Sequence, residues 1–204
     1  MIGAALTAAI GWYFAWFALI PGLIAIALLL FYRDPPRRPP QDPRFLLAPA
    51  DGRIMRIDRD YRVGADVAPE LRICIFLSVL DVHLNRAPCA GVVREVVHTP
   101  GKFLNALKEE ATLRNENSLM RIEPRSPIPG PVHVRQIAGL LAKRIVCAAA
   151  PGDHLAAGER FGMIKLGSQT ELRAPESPDW TVGVEVGQLV KGGETILARL
   201  EMGG

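Results

Sequence analysis

The sequence predicts a mainly β protein with minor α structure: a β-sandwich-like domain preceded by an apolar N-terminal membrane helix or helical hairpin. Three observations carry this expectation. The 204 residues include 17 Pro and 19 Gly, and turn residues at that density suit short strands better than helical bundles. From residue 44 onward the apolar runs are brief and alternate with polar positions, the period of a strand. Residues 1–32, by contrast, contain no charged side chain at all.

The leader comes first. As one straight helix it would extend ~48 Å at 1.5 Å per residue, against a hydrocarbon core only ~30 Å thick. Pro21-Gly22 divides it into a piece long enough to span and a piece too short, so it forms one kinked span or a shallow hairpin. No cationic stretch precedes it and no small-residue cleavage site clearly ends it, which argues against a removed signal peptide. Arg33, Arg37 and Arg38 follow at once. By the positive-inside rule they place the remaining chain on the cytoplasmic side. Residues 33–43, RDPPRRPPQDP, read as an extended, semi-rigid linker that stands the β-rich part, 44–204, off the membrane.

Within that part, 71–79, 91–98, 133–139 and 160–166 read as strands, and 105–113 as a single short amphipathic helix. A weak repeat closes the chain. GDHLAAGERFGMIKL from Gly152 aligns with GQLVKGGETILARL from Gly187, which places Gly158-Glu159 on Gly193-Glu194 and Phe161 on Ile196. Each copy is a turn followed by a strand. The pattern resembles the hairpins of lipoyl- and biotinyl-type flattened barrels, the barrel-sandwich arrangement in which two similar halves share one small core. It speaks of fold and leaves the chemistry open.

Composition narrows the function. A net charge of +3 with no basic, aromatic-laced stripe gives no nucleic-acid footprint. Cys74, Cys89 and Cys147 are scattered and odd in number. They suggest neither a metal site nor a disulfide framework, and they fit a reducing compartment.

Three stretches carry candidate chemistry. In LLAPADGRI, Asp51 sits in an Asp-Gly turn, among the commonest of hairpin signals. In FLSVLDVHLNRAP, Asp81, His83 and Asn85 alternate where a core strand should end, so they share a face. His98, His133 and His154 lack such company and read as ordinary surface or turn histidines. In GMIKLGSQTEL, a Gly-Ser pair interrupts a strand-like run. Glycine weakens strands, so Gly167-Ser168 is either a bulge or a place where the main chain itself reacts. The Gly167 carbonyl is sterically open, and Ser168 Oγ is the next nucleophile along the chain.

Taken together, APADGRI, FLSVLDVHLNRAP, PGKFLNA, NENS and GERFGMIKLGSQTEL, in that order behind an apolar leader and FYRDPPR, resemble the phosphatidylserine decarboxylases of the short, membrane-bound bacterial type. The resemblance implies a pyruvoyl-dependent carboxy-lyase of phospholipid biosynthesis, made as a zymogen. Ser168 would attack the Gly167 carbonyl and convert the amide into an ester. β-Elimination would then leave dehydroalanine, whose hydrolysis releases ammonia and leaves an N-terminal pyruvoyl group. Two chains result, 1–167 and the 37-residue 168–204, which stay together as a heterodimer. The pyruvoyl carbonyl would form a Schiff base with phosphatidylserine and yield phosphatidylethanolamine and CO2, on the cytoplasmic face of the cell membrane. Further dimerisation is left open.

By the same resemblance His83 supplies acid–base chemistry and Asp51 supports self-cleavage. Two departures stand out. The family's longer members carry a second histidine three positions after the first, where this chain has Arg86, and their Leu-Gly-Ser-Thr is Leu-Gly-Ser-Gln here. Asn85 and Arg86 are candidate contacts for the headgroup's anionic groups. The order Asp51, His83, Ser168 also suits a membrane-anchored serine hydrolase, but no G-x-S-x-G elbow surrounds the serine. A lipoyl-like carrier would need a lysine at a hairpin tip, and neither Lys165 nor Lys191 has the usual flanks.

Overall fold

The computed structural model describes residues 2–64, 67–125, 127–140, 144–165 and 167–201. Leu166, the last residue of the strand predicted over 160–166, lies outside them. The chain divides into two units, 1–33 and 34–204. The first holds a single helix, α1 (Ile2–Phe31), which continues through Pro21. The side chains of 2–10, 13, 15, 16 and 18 are not among those described. Among the described residues, no helix is long and apolar enough to cross a membrane.

The second unit is mainly β. Its strands run β1 (Phe45–Leu47), β2 (Gly52–Tyr61), β3 (Glu70–Leu77), β4 (Leu84–Arg86), β5 (Gly91–Thr99), β6 (Asn117–Pro124), β7 (Val132–Ile137), β8 (Ile145–Cys147), β9 (His154–Leu155), β10 (Arg160–Ile164), β11 (Ser168–Pro175), β12 (Trp180–Val182), β13 (Leu189–Val190) and β14 (Ile196–Leu200). An eight-stranded antiparallel sheet has the order β13-β2-β3-β11-β7-β6-β5-β9, and two three-stranded sheets, β1-β14-β12 and β4-β10-β8, complete the unit. The large sheet curls as a half-barrel around a core that includes Ile54, Ile73, Ile75, Met120, Ile122, Val134, Phe161 and Leu172. The mainly β, sandwich-like domain expected from sequence is thus mainly β, built as one curled sheet with two small sheets beside it.

The predicted strands fall within a residue or two of β3, β5, β7 and β10. The helix does not: α2 is Glu109–Arg114. Asn105 takes the start of the predicted helix into a turn, its Oδ1 accepting from the Leu107 amide at 3.0 Å and its carbonyl from the Lys108 amide at 3.0 Å. Asparagine competes with the helix in this way because its side chain can bond its own backbone.

The repeat is a true pseudo-symmetry, and it is larger than its sequence trace. Gly152 and Gly187 have φ of 99° and 94°, and Gly158 and Gly193 both have 76°. The Gly152 amide donates to the Val93 carbonyl and the Gly187 amide to the Ile54 carbonyl, each at 2.8 Å. The Val93 and Ile54 amides donate back to Asp153 and Gln188 at 2.9 Å. Each C-terminal copy therefore packs on its own earlier partner. One is β1–turn–β2 with Ala48-Pro49; the other is β4–turn–β5 with Ala87-Pro88. At the crossing point a Cβ on Gly193 would meet the Arg86 side chain and crowd the Gly158 Cα at 3.3 Å, and the positive φ of both residues favours glycine.

Of the segment 33–43, read from sequence as a spacer, residues 34–39 lie against the β unit. Asp34 pairs with Arg86 at 2.7 Å and also with Arg160, while Arg37 pairs with Asp51 at 2.6 Å and Glu194 at 3.3 Å. The Arg38 amide donates to Glu194 at 3.0 Å. A Cβ on Gly158 would strike Pro39. The prolines keep this strap extended, and its charges find complements on the turns beneath. His133, expected at an unremarkable surface, lies in β7 with Nδ1 3.1 Å from Glu70, beside the Arg173–Glu70 pair at 3.0 Å. His98 and His154 are exposed, as expected.

Candidate active site

The Gly-Ser pair does not interrupt a strand; it separates two. β10 belongs to a small sheet, and β11 starts at Ser168 in the middle of the large one, between β3 and β7. Gly167 makes the transfer at φ 66°, a conformation costly for any residue with a Cβ. Its carbonyl lies against Gly139, just past the end of β7, so closely that a Cβ on Gly139 would occupy the carbonyl's place. Ser168 is fully buried opposite Leu77, and its Oγ has no hydrogen-bond partner among the described residues. Such a group costs about 1–3 kcal/mol, and native structures retain it where it has a task.

His83 closes the loop that leaves β3 beyond Leu77. That loop is rigid: the Ser78 amide donates to the Asp81 carboxylate at 2.7 Å and the Asp81 amide to the Ser78 carbonyl at 3.0 Å. The Asp81 carboxylate is thereby occupied within the turn. The His83 carbonyl accepts from the Ile164 amide at 3.2 Å, which ties the loop to β10 three residues before Gly167. The imidazole is buried, with Nδ1 2.8 Å from the Asp81 carbonyl. A carbonyl can only accept, so Nδ1 carries a proton, and whenever the ring is neutral its lone pair sits on Nε2.

Asp51 lies at the same end of the sheet but apart from Ser168. The pairings Arg53↔Phe76↔Gln169 and Ser168↔Leu77 set Gly52 two strands from Ser168, roughly 10 Å at ordinary strand spacing. The Asp51 carboxylate is occupied by Arg37 and by the Gly192 amide at 2.7 Å. Its Asp-Gly turn has a tighter reason than hairpin preference, because a Cβ on Gly52 would collide with the Phe76 carbonyl.

A buried polar network lies alongside. Asn85 donates to Thr170 Oγ1 at 3.0 Å and accepts from Gln136 Nε2 at 2.9 Å, and Gln136 also donates to the Val146 carbonyl at 3.2 Å. Thr170 shares Ser168's face of β11, since strand side chains alternate. Arg86, at the family's second histidine position, bonds the Gly158 carbonyl at 3.1 Å and Asp34. Burial holds its guanidinium below the ordinary value, Asp34 opposing and Arg37 and Arg160 adding to the effect. Asn85 and Arg86, read from sequence as headgroup contacts, are thus both engaged inside the protein. Sequence reasoning missed Gly139, Arg37, Gln136 and Thr170. Gly139 alone left a trace, as a glycine ending an apolar strand.

A curled antiparallel sheet that brings a buried serine, unpartnered among the described residues, to the junction of two strands marks the candidate site. The family profile described as phosphatidylserine decarboxylase matches residues 24–198. A phosphatidylserine decarboxylase proenzyme of Gluconacetobacter diazotrophicus is 45% identical over 189 residues, covering 91% of this chain and 82% of its own. Another, of Rhodopirellula baltica, is 41% identical over 206 residues, covering 100% and 84%. The chain belongs to the phosphatidylserine decarboxylase family and so to the carboxy-lyases.

Proposed function

We propose that this chain is a proenzyme that cuts itself between Gly167 and Ser168, converts Ser168 into a pyruvoyl group, and decarboxylates phosphatidylserine to phosphatidylethanolamine. The observation that carries the reading is Ser168 Oγ, buried and without a partner among the described residues, directly after a left-handed Gly167 whose carbonyl is held against Gly139. The residues fit a pyruvoyl group, because Ser168 heads β11 and Gly139 offers no side chain that would crowd the junction. Once formed, that group supplies an electrophilic carbonyl that serves as electron sink for the C–CO2 bond.

The chain's own residues do the rest. Ser168 Oγ adds to the Gly167 carbonyl carbon as its proton leaves to a base, and the C–N bond breaks to give an ester and a free amine. Loss of the Ser168 α-proton then expels the Gly167 carboxylate, and water replaces the resulting nitrogen as ammonia. His83, with its proton fixed on Nδ1, offers Nε2 as the group that takes and returns protons. Asp51 acts at one remove, by holding the β1–β2 turn under the strap. The 37-residue product, 168–204, remains in place without the peptide bond. It contributes β11 between β3 and β7, β13 beside β2, and β14 beside β1. The apolar α1, followed by Arg33, Arg37 and Arg38, anchors the enzyme to the cytoplasmic face, where its lipid substrate lies.

Denaturing mass spectrometry tests the reading. Two fragments are expected, the smaller starting with a ketone-bearing residue in place of Ser168, and Ser168→Ala should stay intact. Borohydride with phosphatidylserine should label the small fragment alone. An active, uncut wild-type chain would refute the proposal.

A further inference from the structure

The end of the sheet that holds Gly167 and Ser168 is ringed by exposed leucines. Leu80 is 82% exposed, Leu113 70%, Leu140 60% and Leu107 58%. They come from three loops and α2, and each adjoins the junction in a specific way. Leu140 follows Gly139, which packs on the Gly167 carbonyl. Leu107 follows Ala106, whose carbonyl accepts from Gln169. Leu113 follows Thr112, whose hydroxyl donates to Gln169 Oε1 at 3.0 Å. Leu80 sits on the Ser78–Asp81 turn, just beyond the Leu77 that pairs with Ser168. Single exposed leucines are ordinary on a protein surface, whereas a cluster rimming one site marks an interaction surface.

The charges around this rim name the partner. Lys102, Lys108 and Arg144 are exposed on the same loops. Among the described residues, Glu110 pairs with Arg114, Asp81 accepts from the Ser78 amide, and Glu116 faces His98 at 3.5 Å. Aliphatic tips among cations suit an anionic lipid surface, whose acyl boundary takes the leucines and whose headgroups take the lysines and arginine. Resting on the reading of Gly167–Ser168 as the reactive centre, we propose that Leu80, Leu107, Leu113 and Leu140 form a lipid-docking rim that enters the bilayer surface around the site. It orients the domain so that a headgroup reaches the site while its acyl chains stay in the membrane.

Nitroxide labels decide this on the full chain, in a Cys147→Ser background, bound to vesicles of phosphatidylcholine and phosphatidylglycerol. Leu107→Cys and Leu140→Cys carry the rim labels. Val63→Cys carries the reference, on the β2–β3 hairpin at the opposite end of the sheet, where Val63 is 61% exposed. The rim labels should be relaxed more by oxygen than by a water-soluble nickel complex, and the Val63 label the reverse. Rim labels as aqueous as the reference would overturn the proposal. So would dipolar broadening between rim labels, which would assign the surface to a second copy of the chain. In a second arm, the ratio of the decarboxylation rate on vesicle phosphatidylserine to that on monomeric short-chain phosphatidylserine should fall at least tenfold in Leu107→Ser/Leu140→Ser. An unchanged ratio would count against the rim. If the wild-type chain is neither cut nor active, the proposed function fails, while the label depths still decide the rim.

Discussion

Gly139 and Gly167 touch across the β7 and β11 ends: a methyl group on Gly139 would fall where the Gly167 carbonyl oxygen lies. Glycine at 139 therefore sets the position of the bond on which the proposed self-cleavage depends. Gly139→Ala should displace that carbonyl by a large fraction of an ångström and slow processing by about 100-fold, the usual penalty for misplacing a reacting group. Overpacking should cost only about 1–3 kcal/mol of stability. The check is the rate of appearance of the 37-residue fragment, read beside an unfolding curve. A folded variant that matures at the wild-type rate would remove Gly139 from the mechanism.

The strap can be tested through Arg37. Its side chain is only 6% exposed, its partner Asp51 16%. Arg37→Ala leaves Asp51 and Glu194 close together without their shared cation. The expected loss is about 3 kcal/mol, at the low end for a buried ion pair with one partner removed. For a domain of this size that lowers Tm by roughly 6–12 °C. Asp51→Asn should relieve part of the loss, so a double-mutant cycle in thermal unfolding should show coupling.

Asn85 holds Thr170 and Gln136 together in a site sealed from water. Asn85→Ala strands Thr170 Oγ1 and one Gln136 donor and opens a small cavity. Roughly 2–4 kcal/mol of destabilisation follows from two unsatisfied buried groups. A urea titration should show a lower midpoint at an unchanged slope.

The strap also carries a pH signature. The Arg38 amide, with Arg37 beside it, holds the Glu194 carboxyl below its ordinary 4.5. A depressed carboxylate stabilises the fold above its unfolded pKa and loses that contribution as pH falls through the folded one. Wild type should thus be more stable than Glu194→Gln at neutral pH, and the gap should close below about pH 4.5. Melting curves taken across that range check it; a gap that widens on acidification contradicts it.

Burial pushes the Cys74 and Cys89 thiols up to about 12. At pH 8 neither has appreciable thiolate, and thiolate is the reactive form. Cys147 is raised less and half-buried. Under native conditions an alkylating reagent should reach Cys147 first, with Cys74 and Cys89 reacting only on unfolding. Peptide mapping after a timed quench reads the order.

Much was legible in the sequence because it was local or periodic. Alternation located β3, β5, β7 and β10, the glycine pattern of 152–158 and 187–193 reported the pseudo-symmetric turns, and the ordered motifs around Ser168 named the family. What tertiary structure alone decided is which distant groups meet. Residues 33–43 look like a spacer until Asp51, Arg86, Arg160 and Glu194 converge beneath Asp34 and Arg37. Asp51 is expected from sequence to support self-cleavage, and only the β2–β3–β11 register shows that its neighbour Gly52 stands two strands from Ser168. Gly139 acquires its meaning only where the end of β7 meets the start of β11. Periodicity along a chain reports which side of each strand is buried. The spacing between side chains from different strands is set by register and by the curl of the sheet, and neither is a property of any one stretch of sequence.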